Sequence, residues 1–312
     1  MAEDGDRRRA LVGALGLLLS LLALGWVIRS LAREAGGLDL GRLGSQLSGP
    51  ALGRACGYAV VLVSLAVAWW WLLGFYGHRP RLWEGYSIWT RTQLAKYLPG
   101  NVFHYVGRHV LGRSAGLRHP ALFTAHFAET LSLALAAVLV VASFRLFSHG
   151  EPLILIALVA IFIGAGLIWY FSERGLRRTR WGAKLLGSLP SASPARWLGL
   201  MGPAVALHAI YFVVAGGLLF LLGSVAWPGT GVGFGRSVWA YALAWIAGTF
   251  TPGAPAGTGV REAVLTWELA PVLGQGEAAM LALSLRLVTL LGDLISAGSG
   301  WLLQALRSRA GR

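Results

Sequence analysis

The sequence predicts an all-α integral membrane protein with about six transmembrane helices and two re-entrant helical hairpins, arranged as an inverted-topology repeat. First, 56% of the 312 residues are hydrophobic and only 13% are charged, with a mean hydropathy of +0.63. A soluble domain carries roughly 25% charged residues. Second, apolar runs long enough to cross a bilayer recur along the chain. Third, two less apolar segments each contain a Pro-Gly pair.

The predicted spans are apolar runs of about 20 residues, the length needed to cross the hydrocarbon layer. An arginine triplet, Arg7 to Arg9, precedes the first run as in a signal peptide, but no small-residue cleavage site follows, so we expect an uncleaved span. Several tryptophans lie near run ends, as is typical of the membrane interface. The six runs are 10–28, 57–76, 120–147, 152–172, 199–223 and 279–304.

Basic residues set the predicted orientation, because cytoplasmic loops are enriched in lysine and arginine. With the N-terminus in the cytoplasm, the cytoplasmic segments 77–118 and 173–198 hold seven and six basic residues. The opposite side includes 29–56, where four arginines are diluted by Glu34 and Asp39. We therefore predict a multi-pass protein of a bacterial-type cytoplasmic (inner) membrane, with both termini cytoplasmic and a basic linker at 173–198.

Two semi-apolar segments, 82–112 and 237–273, are predicted to be re-entrant hairpins. For the C-terminal arginines to be cytoplasmic, 237–273 must start and finish on the outer side, and the same logic makes 82–112 dip from the cytoplasmic side. Each hairpin would be two short helices joined at a Pro-Gly break. The alternative is that 237–250 begins an ordinary span, which gives an odd number of spans and an external C-terminus.

The two halves of the chain match element by element. Residues 1–147 and 152–306 each read as span, span, dip, span, and the first half starts inside while the second starts outside. This is an inverted-topology repeat with its axis in the membrane plane. We predict one polytopic membrane domain, 1–312, built from these two repeats.

Each predicted hairpin contains an arginine nine positions after the proline of its break, Arg108 after Pro99 and Arg261 after Pro252. Broken backbone survives at membrane depth only where it is buried in protein or lines a wet cavity. A matched pair of Gly/Pro-interrupted segments points to a transporter's binding site. Glycines at a break permit close backbone approach and positive φ. The predicted hinge residues are Pro99, Gly100, Gly107, Pro252, Gly253, Gly257 and Gly259.

Arg108 and Arg261 are the leading candidates for substrate binding, because guanidinium is permanently charged and binds phosphate with two parallel hydrogen bonds. The alternative is that each arginine pairs with a neighbour such as Glu262 and stabilises its turn. Polar residues around the first break could contact a headgroup or satisfy opened backbone. The remaining candidate binding residues are Lys96, Asn101, His104, Glu262, Glu129, Arg286 and Asp293.

Glu129, Arg286 and Asp293 lie inside predicted spans, where ionisable residues are costly and by default functional candidates. Arg286 and Asp293 are seven positions apart and therefore share one helix face. Glu129 and Arg286 follow their respective breaks at similar distances. We expect these two residues to pair across the interface between the repeats, either as part of a polar interior or as a purely structural ion pair.

The sequence contains no catalytic constellation, P-loop or G-x-S-x-G elbow. His126 and Glu129 are three apart, but two ligands do not make a metal site. We therefore expect no enzyme activity, cofactor or metal. The net charge of +14 lies mostly in loops between spans, where orientation requires it. This pattern favours anionic lipid headgroups over nucleic acid as partners.

The stretch from Gln93 to Arg108 and the stretch from Thr251 to Glu262 resemble the transmembrane region of the lysylphosphatidylglycerol synthase/flippase family. The resemblance covers nearly the whole chain. It implies movement of an anionic or headgroup-modified lipid, a phospholipid or a lipid-linked glycan, between leaflets. Two departures stand out: Thr130 and Leu133 follow Glu129 where members often carry Arg and Asp, and the second break reads Pro-Gly-Ala-Pro where Pro-Gly-Gly is common.

In some members of that family a cytosolic aminoacyl-transferase domain follows and makes the lipid. The sequence ends at Arg312, so we expect a stand-alone member without that activity, working with membrane lipids and with lipid-biosynthesis enzymes encoded separately. Three alternatives stay open. They are a secondary transporter of a small solute, an intramembrane lipid-modifying transferase that depends on Glu129, Glu262 or Asp293, and a scaffold for lipid synthesis.

Overall fold

A computed structural model describes residues 50–74, 79–98, 102–149, 178–179, 194–251 and 254–310. The regular structure in these ranges is helical, with no strand. The predicted runs 10–28 and 152–172 and most of the linker 173–198 lie outside the described residues. In chain order the helices are α1 (Pro50–Leu73), α2 (Leu82–Thr92), α3 (Phe103–Ser114), α4 (His119–His149), α5 (Pro194–Ala226), α6 (Phe234–Phe250), α7 (Val260–Leu273) and α8 (Gln275–Ala310).

Four of these helices are long and apolar enough to cross a membrane, and they are α1, α4, α5 and α8. Their candidate spans match four of the predicted runs to within a few residues at most ends. The predicted class, an all-helical membrane protein, is therefore confirmed for the described part of the chain. The candidate spans are Ala51–Leu73, His119–Arg145, Gly199–Ala226 and Gln275–Arg309.

Each of the two semi-apolar segments contains two helices separated by an interruption. The first broken pair consists of α2, a 3-10 turn at Gln93–Tyr97, and α3. The second broken pair consists of α6, a 3-10 turn at Pro255–Gly257, and α7. The described residues thus read twice as span, broken pair, span. Re-entry of the pairs into the membrane and the inverted relation of the halves stay predictions.

Acidic side chains fix the starts of two of the short helices. The Glu84 carboxylate accepts a hydrogen bond from the backbone N–H of Arg81 at 3.0 Å, at the start of α2. The Glu262 carboxylate accepts one from the N–H of Gly259 at 2.7 Å, at the start of α7. The first N–H groups of a helix lack intrahelical partners, so a carboxylate three residues into the helix satisfies one of them.

The helices of the broken pairs pack against the long helices. α8 packs against α1, α2 and α7, while α6 packs against α4, α5 and α7. Gly292 lets α8 approach α1 closely, because a Cβ there would lie 2.8 Å from the carbonyl oxygen of Ala55. Small residues at such crossings are typical of helix packing in membranes. The two 3-10 turns contact each other, and the first also contacts α8, so both interruptions meet beside one long helix.

Candidate functional site

A cavity lies where the two 3-10 turns meet α8. Its empty volume is about 460 Å³, including the part that opens to the outside. Residues from both broken pairs and from α1 and α8 line it. The polar lining residues are Tyr58, Lys96, Tyr97, Tyr241, Arg261, Glu262, Arg286, Thr289 and Asp293, and the apolar ones are Ala244, Trp245, Ala256, Leu265, Ala282 and Leu285.

Asp293 joins the first 3-10 turn to α8. Lys96 Nζ lies 2.9 Å from one carboxylate oxygen of Asp293 and 2.8 Å from the other. The Tyr97 hydroxyl donates a hydrogen bond to the same carboxylate at 2.5 Å. Asp293 is 1% exposed. A buried carboxylate is stable only when it is paired and hydrogen-bonded, so these contacts hold the first turn against α8.

Arg286 joins the second 3-10 turn to α8. Its guanidinium donates hydrogen bonds to the carbonyl of Ala256, at 3.2 Å, and to the hydroxyl of Thr258. Its Nε lies 3.5 Å from a carboxylate oxygen of Glu262. The second turn leaves regular helix geometry, with Ala256 at a φ of 48°. Arg286 therefore satisfies a carbonyl that the interrupted backbone leaves without a helical partner.

Arg261 is the cation of the cavity that has no carboxylate partner among the described residues. Its nearest polar side chain in hydrogen-bond range is Thr249, with 3.4 Å between the guanidinium and the hydroxyl. Its Nε is buried without a hydrogen-bond partner in the described part of the chain. Three cations and two carboxylates line the cavity, which leaves one net positive charge. An anionic group entering the cavity would therefore be attracted, most strongly at Arg261.

Glycine is required where the Arg261 side chain passes the second turn. A Cβ at Gly257 would lie 2.7 Å from Arg261 Nε and 2.7 Å from the Cα of Gly248 on α6. Gly257 and Gly259 have φ values of 70° and 82°, so positive φ at these predicted hinge glycines is confirmed. Both conditions favour glycine, because other residues adopt positive φ at a cost.

Arg108 and Glu129 form a separate buried ion pair between α3 and α4. Arg108 donates to Glu129 at 2.5 Å and to Gln93 at 3.2 Å, and the indole of Trp89 donates to Glu129 at 2.9 Å. Neither Arg108 nor Glu129 lines the cavity. The predicted pairing of Glu129 with Arg286 is therefore wrong. Their similar spacing from the two breaks suggested that Glu129 and Arg286 occupy equivalent positions in the two repeats. In the structure Arg108 on α3 lies beside Glu129 on α4, and these two residues form the ion pair.

The other predicted residues line the cavity, lie away from it, or fall outside the described part of the chain. Arg286 and Asp293 both line the cavity, which confirms that they share one face of α8. His104 is buried in α3 and does not line the cavity. A Cβ at Gly107 would lie 3.1 Å from Thr92, so this glycine lets α3 pack against α2. Five predicted residues lie outside the described part of the chain, namely Pro99, Gly100, Asn101, Pro252 and Gly253.

Three tyrosines that were not predicted from the sequence form a cluster beside the cavity. Tyr58, Tyr211 and Tyr241 come from α1, α5 and α6, and their hydroxyls bond to one another. All three are buried. The available signal was a phenol inside each of three apolar segments, since a buried tyrosine hydroxyl needs a hydrogen-bond partner.

Fold and site together define an all-helical protein with membrane-length apolar helices and a polar cavity at two paired interruptions. Its described residues contain no group of three or more His, Cys, Asp or Glu side chains that could hold a metal ion. No protein-family model matches the chain. A search of curated proteins gives no match either.

Proposed function

We propose that this protein moves an anionic lipid between the leaflets of a membrane, with the lipid phosphate bound at Arg261. One observation carries the proposal: an arginine without a carboxylate partner among the described residues lines a cavity where two interrupted helix pairs meet. Guanidinium matches the oxygens of a phosphate with two parallel hydrogen bonds. The cavity's single net positive charge fits one phosphodiester.

The proposed membrane placement has six spans, two re-entrant hairpins and both termini in the cytoplasm. Helix lengths support it. At 1.5 Å per residue, α2 and α3 measure about 16 and 18 Å, and α6 and α7 about 25 and 21 Å. The hydrocarbon layer is about 30 Å thick, so α2, α3 and α7 are too short to span it alone, and α6 lies at the lower limit of spanning length. Two short helices that enter and leave the membrane on the same side do not need to cross the whole hydrocarbon layer.

The cavity is proposed to face the two sides of the membrane in turn. Inverted repeats with broken helices allow one half to rock against the other around a fixed central site. Two polar links attach the two 3-10 turns to α8, one through Lys96 and Asp293 and one through Arg286 and the carbonyl of Ala256. Opening either link would change which side of the cavity is closed.

The proposed process breaks no covalent bond. An intramembrane transferase would need a carboxylate available to substrate at the cavity. Asp293 accepts from Lys96 and Tyr97, and Glu262 accepts from the backbone of Gly259 and lies beside Arg286. Both carboxylates of the cavity are thus occupied by structural contacts, which favours binding over catalysis.

The test is lipid movement in proteoliposomes that contain fluorescent phosphatidylglycerol, followed by quenching of the outer leaflet. The variant is Arg261→Gln, which removes the charge and keeps most of the length. The matched control is Arg236→Gln on α6, because Arg236 bonds to the carbonyl of Glu268 at 3.4 Å and does not line the cavity.

We expect Arg261→Gln to slow lipid movement by roughly tenfold or more, since a hydrogen bond to a charged group contributes about 1.5–3 kcal/mol. We expect Arg236→Gln to move lipid at the wild-type rate. Equal rates for Arg261→Gln and wild type would remove the proposed phosphate site.

A further inference from the structure

The tyrosine cluster of Tyr58, Tyr211 and Tyr241 presents unused hydrogen-bonding capacity to the cavity. The hydroxyl of Tyr211 lies 3.1 Å from that of Tyr58 and 2.7 Å from that of Tyr241. Tyr58 and Tyr241 also line the cavity, whereas Tyr211 lies behind them. A central hydroxyl with two neighbours fixes the positions of the two outer ones.

The donors and acceptors of the three hydroxyls determine which hydrogen bonds the cluster can offer to a ligand. Each phenol hydroxyl has one donor hydrogen and can accept a hydrogen bond. The hydroxyls of Tyr58 and Tyr241 also lie within hydrogen-bonding range of each other, so bonds within the cluster can engage its hydrogens. A phenol oxygen can accept a further hydrogen bond, so acceptor positions on Tyr58 and Tyr241 are left over. Because Tyr58 and Tyr241 line the cavity, this capacity is available to an alcohol group bound there.

Within the described part of the chain, the same cavity offers no unengaged carboxylate to receive an ammonium group. Asp293 is bonded to Lys96 and Tyr97, and Glu262 holds the start of α7 and lies beside Arg286. An additional cation would also face three basic side chains. Like charges at close range in a poorly solvated site repel strongly. The cavity is thus unfavourable for a headgroup amine and favourable for a phosphate with hydroxyl groups.

Resting on the function proposed above, we infer that the cavity selects an anionic lipid whose headgroup carries hydroxyl groups and no ammonium group. Arg261 binds the phosphodiester, and the outer hydroxyls of the tyrosine cluster bond to a headgroup alcohol. Glycerol and inositol phosphodiesters have this chemistry. Phosphatidylethanolamine and aminoacylated lipids are disfavoured by their ammonium groups.

Three lipids with identical acyl chains and label test this selection in proteoliposomes. Phosphatidylglycerol carries the phosphate and hydroxyls, phosphatidylmethanol carries the phosphate alone, and phosphatidylethanolamine carries an ammonium. The variants are Tyr58→Phe and Tyr241→Phe, which remove one hydroxyl each. Tyr86→Phe is the matched control, because the Tyr86 hydroxyl bonds to Ser299 at 2.7 Å and does not line the cavity.

We expect wild type to move phosphatidylglycerol about fivefold to tenfold faster than either other lipid, the effect of one or two net hydrogen bonds. Tyr241→Phe or Tyr58→Phe should lower the phosphatidylglycerol rate toward that of phosphatidylmethanol, so that the ratio of the two rates approaches one. Tyr86→Phe should keep the wild-type preference. Equal wild-type rates for phosphatidylglycerol and phosphatidylmethanol would overturn the selection while leaving the proposed lipid movement standing.

Two further outcomes separate the selection from the proposed function. Movement of none of the three lipids would overturn the proposed function and the selection that rests on it. A parallel arm supplies radiolabelled glycerol 3-phosphate outside the vesicles. Uptake of this compound without lipid movement would assign the same chemistry to a water-soluble ligand and overturn the lipid assignment.

Discussion

At the scale of single residues, the charges of the cavity fall into two kinds. Asp293 and Arg286 are held by several contacts each, and these contacts attach the two 3-10 turns to α8. Arg261 has only a long contact to Thr249 among the described residues. A half-buried cation with so little compensation costs stability, and this cost is the reason for proposing that an anionic ligand binds at Arg261.

Removing the charge of Asp293 should destabilise the protein strongly. Asp293→Asn leaves the partly buried Lys96 ammonium without its carboxylate, and breaking one side of a buried pair costs about 3–5 kcal/mol. The measurement is the midpoint of thermal unfolding in detergent. The double variant Lys96→Met/Asp293→Asn is the control and should recover most of the loss. A single variant as stable as wild type would contradict the pairing.

The Arg108–Glu129 pair should behave as a structural element. Arg108→Met alone leaves a buried carboxylate without its partner and should lower the free energy of unfolding by about 3–5 kcal/mol. The double variant Arg108→Met/Glu129→Gln should be considerably more stable. Once folded, it should keep the wild-type preference among the three lipids. A changed preference in the folded double variant would instead place this pair in substrate selection.

The sequence predicted the residues of the site better than their partners. Arg286 and Asp293 were placed on one face by their spacing, and Arg261 by its distance from a Pro-Gly pair. The predicted pairing of Glu129 with Arg286 was wrong, because spacing from the breaks carries no information on which helices are in contact. The tyrosine cluster was not predicted, since its members lie far apart in sequence and meet only through the packing of α1, α5 and α6.

At the scale of helices, the two interruptions share composition and differ in form. In the first broken pair the 3-10 turn follows α2 without a gap. In the second, the 3-10 turn ends at Gly257, shortly before α7 begins at Val260. The long spans were predictable because length and hydropathy determine them. The form of each interruption was not, since it depends on contacts such as that of Arg286 with the carbonyl of Ala256.

The second 3-10 turn should be sensitive to a single methyl group. Gly257→Ala places a Cβ 2.7 Å from both Arg261 Nε and the backbone of Gly248, at a φ of 70°. We expect a loss of about 1–3 kcal/mol in stability and a lower rate of lipid movement, because backbone strain adds to displacement of Arg261. Gly298→Ala on α8 has no atom within 4 Å of its Cβ and is the control.

Gly298→Ala should leave lipid movement unchanged and leave stability equal or slightly higher, since alanine favours helix over glycine. The measurements are thermal unfolding and the proteoliposome rate for both variants. Equal behaviour of Gly257→Ala and Gly298→Ala would contradict the close approach of the second turn to α6.

At the scale of the whole molecule, an inverted repeat requires the second broken pair to return to the side of the membrane from which it entered. The link between α5 and α6 and the link between α7 and α8 would then face the same compartment. If 237–250 instead began an ordinary span, the two links would face opposite sides. This choice decides whether the two halves are inverted repeats.

Cysteine labelling distinguishes the two arrangements. Each in a Cys56→Ala background, Pro228→Cys places a thiol at an exposed position in the link between α5 and α6, and Gln275→Cys places one at the exposed start of α8, directly after the link from α7. We expect a membrane-impermeant reagent to label both in intact cells, and to label Arg118→Cys, in the link between α3 and α4, only after permeabilisation. Labelling of Gln275→Cys only after permeabilisation would support the ordinary span and end the inverted-repeat account.

The most direct measurement of the central claim is lipid retention in native mass spectrometry of the purified protein with phosphatidylglycerol. Wild type and the Arg236→Gln control should retain one tightly held lipid, because the proposal places a single phosphate site in the cavity, at Arg261. Arg261→Gln should lose that lipid while remaining folded. Equal retention by Arg261→Gln and wild type would contradict the claim that the two interrupted helix pairs meet to bind a lipid phosphate.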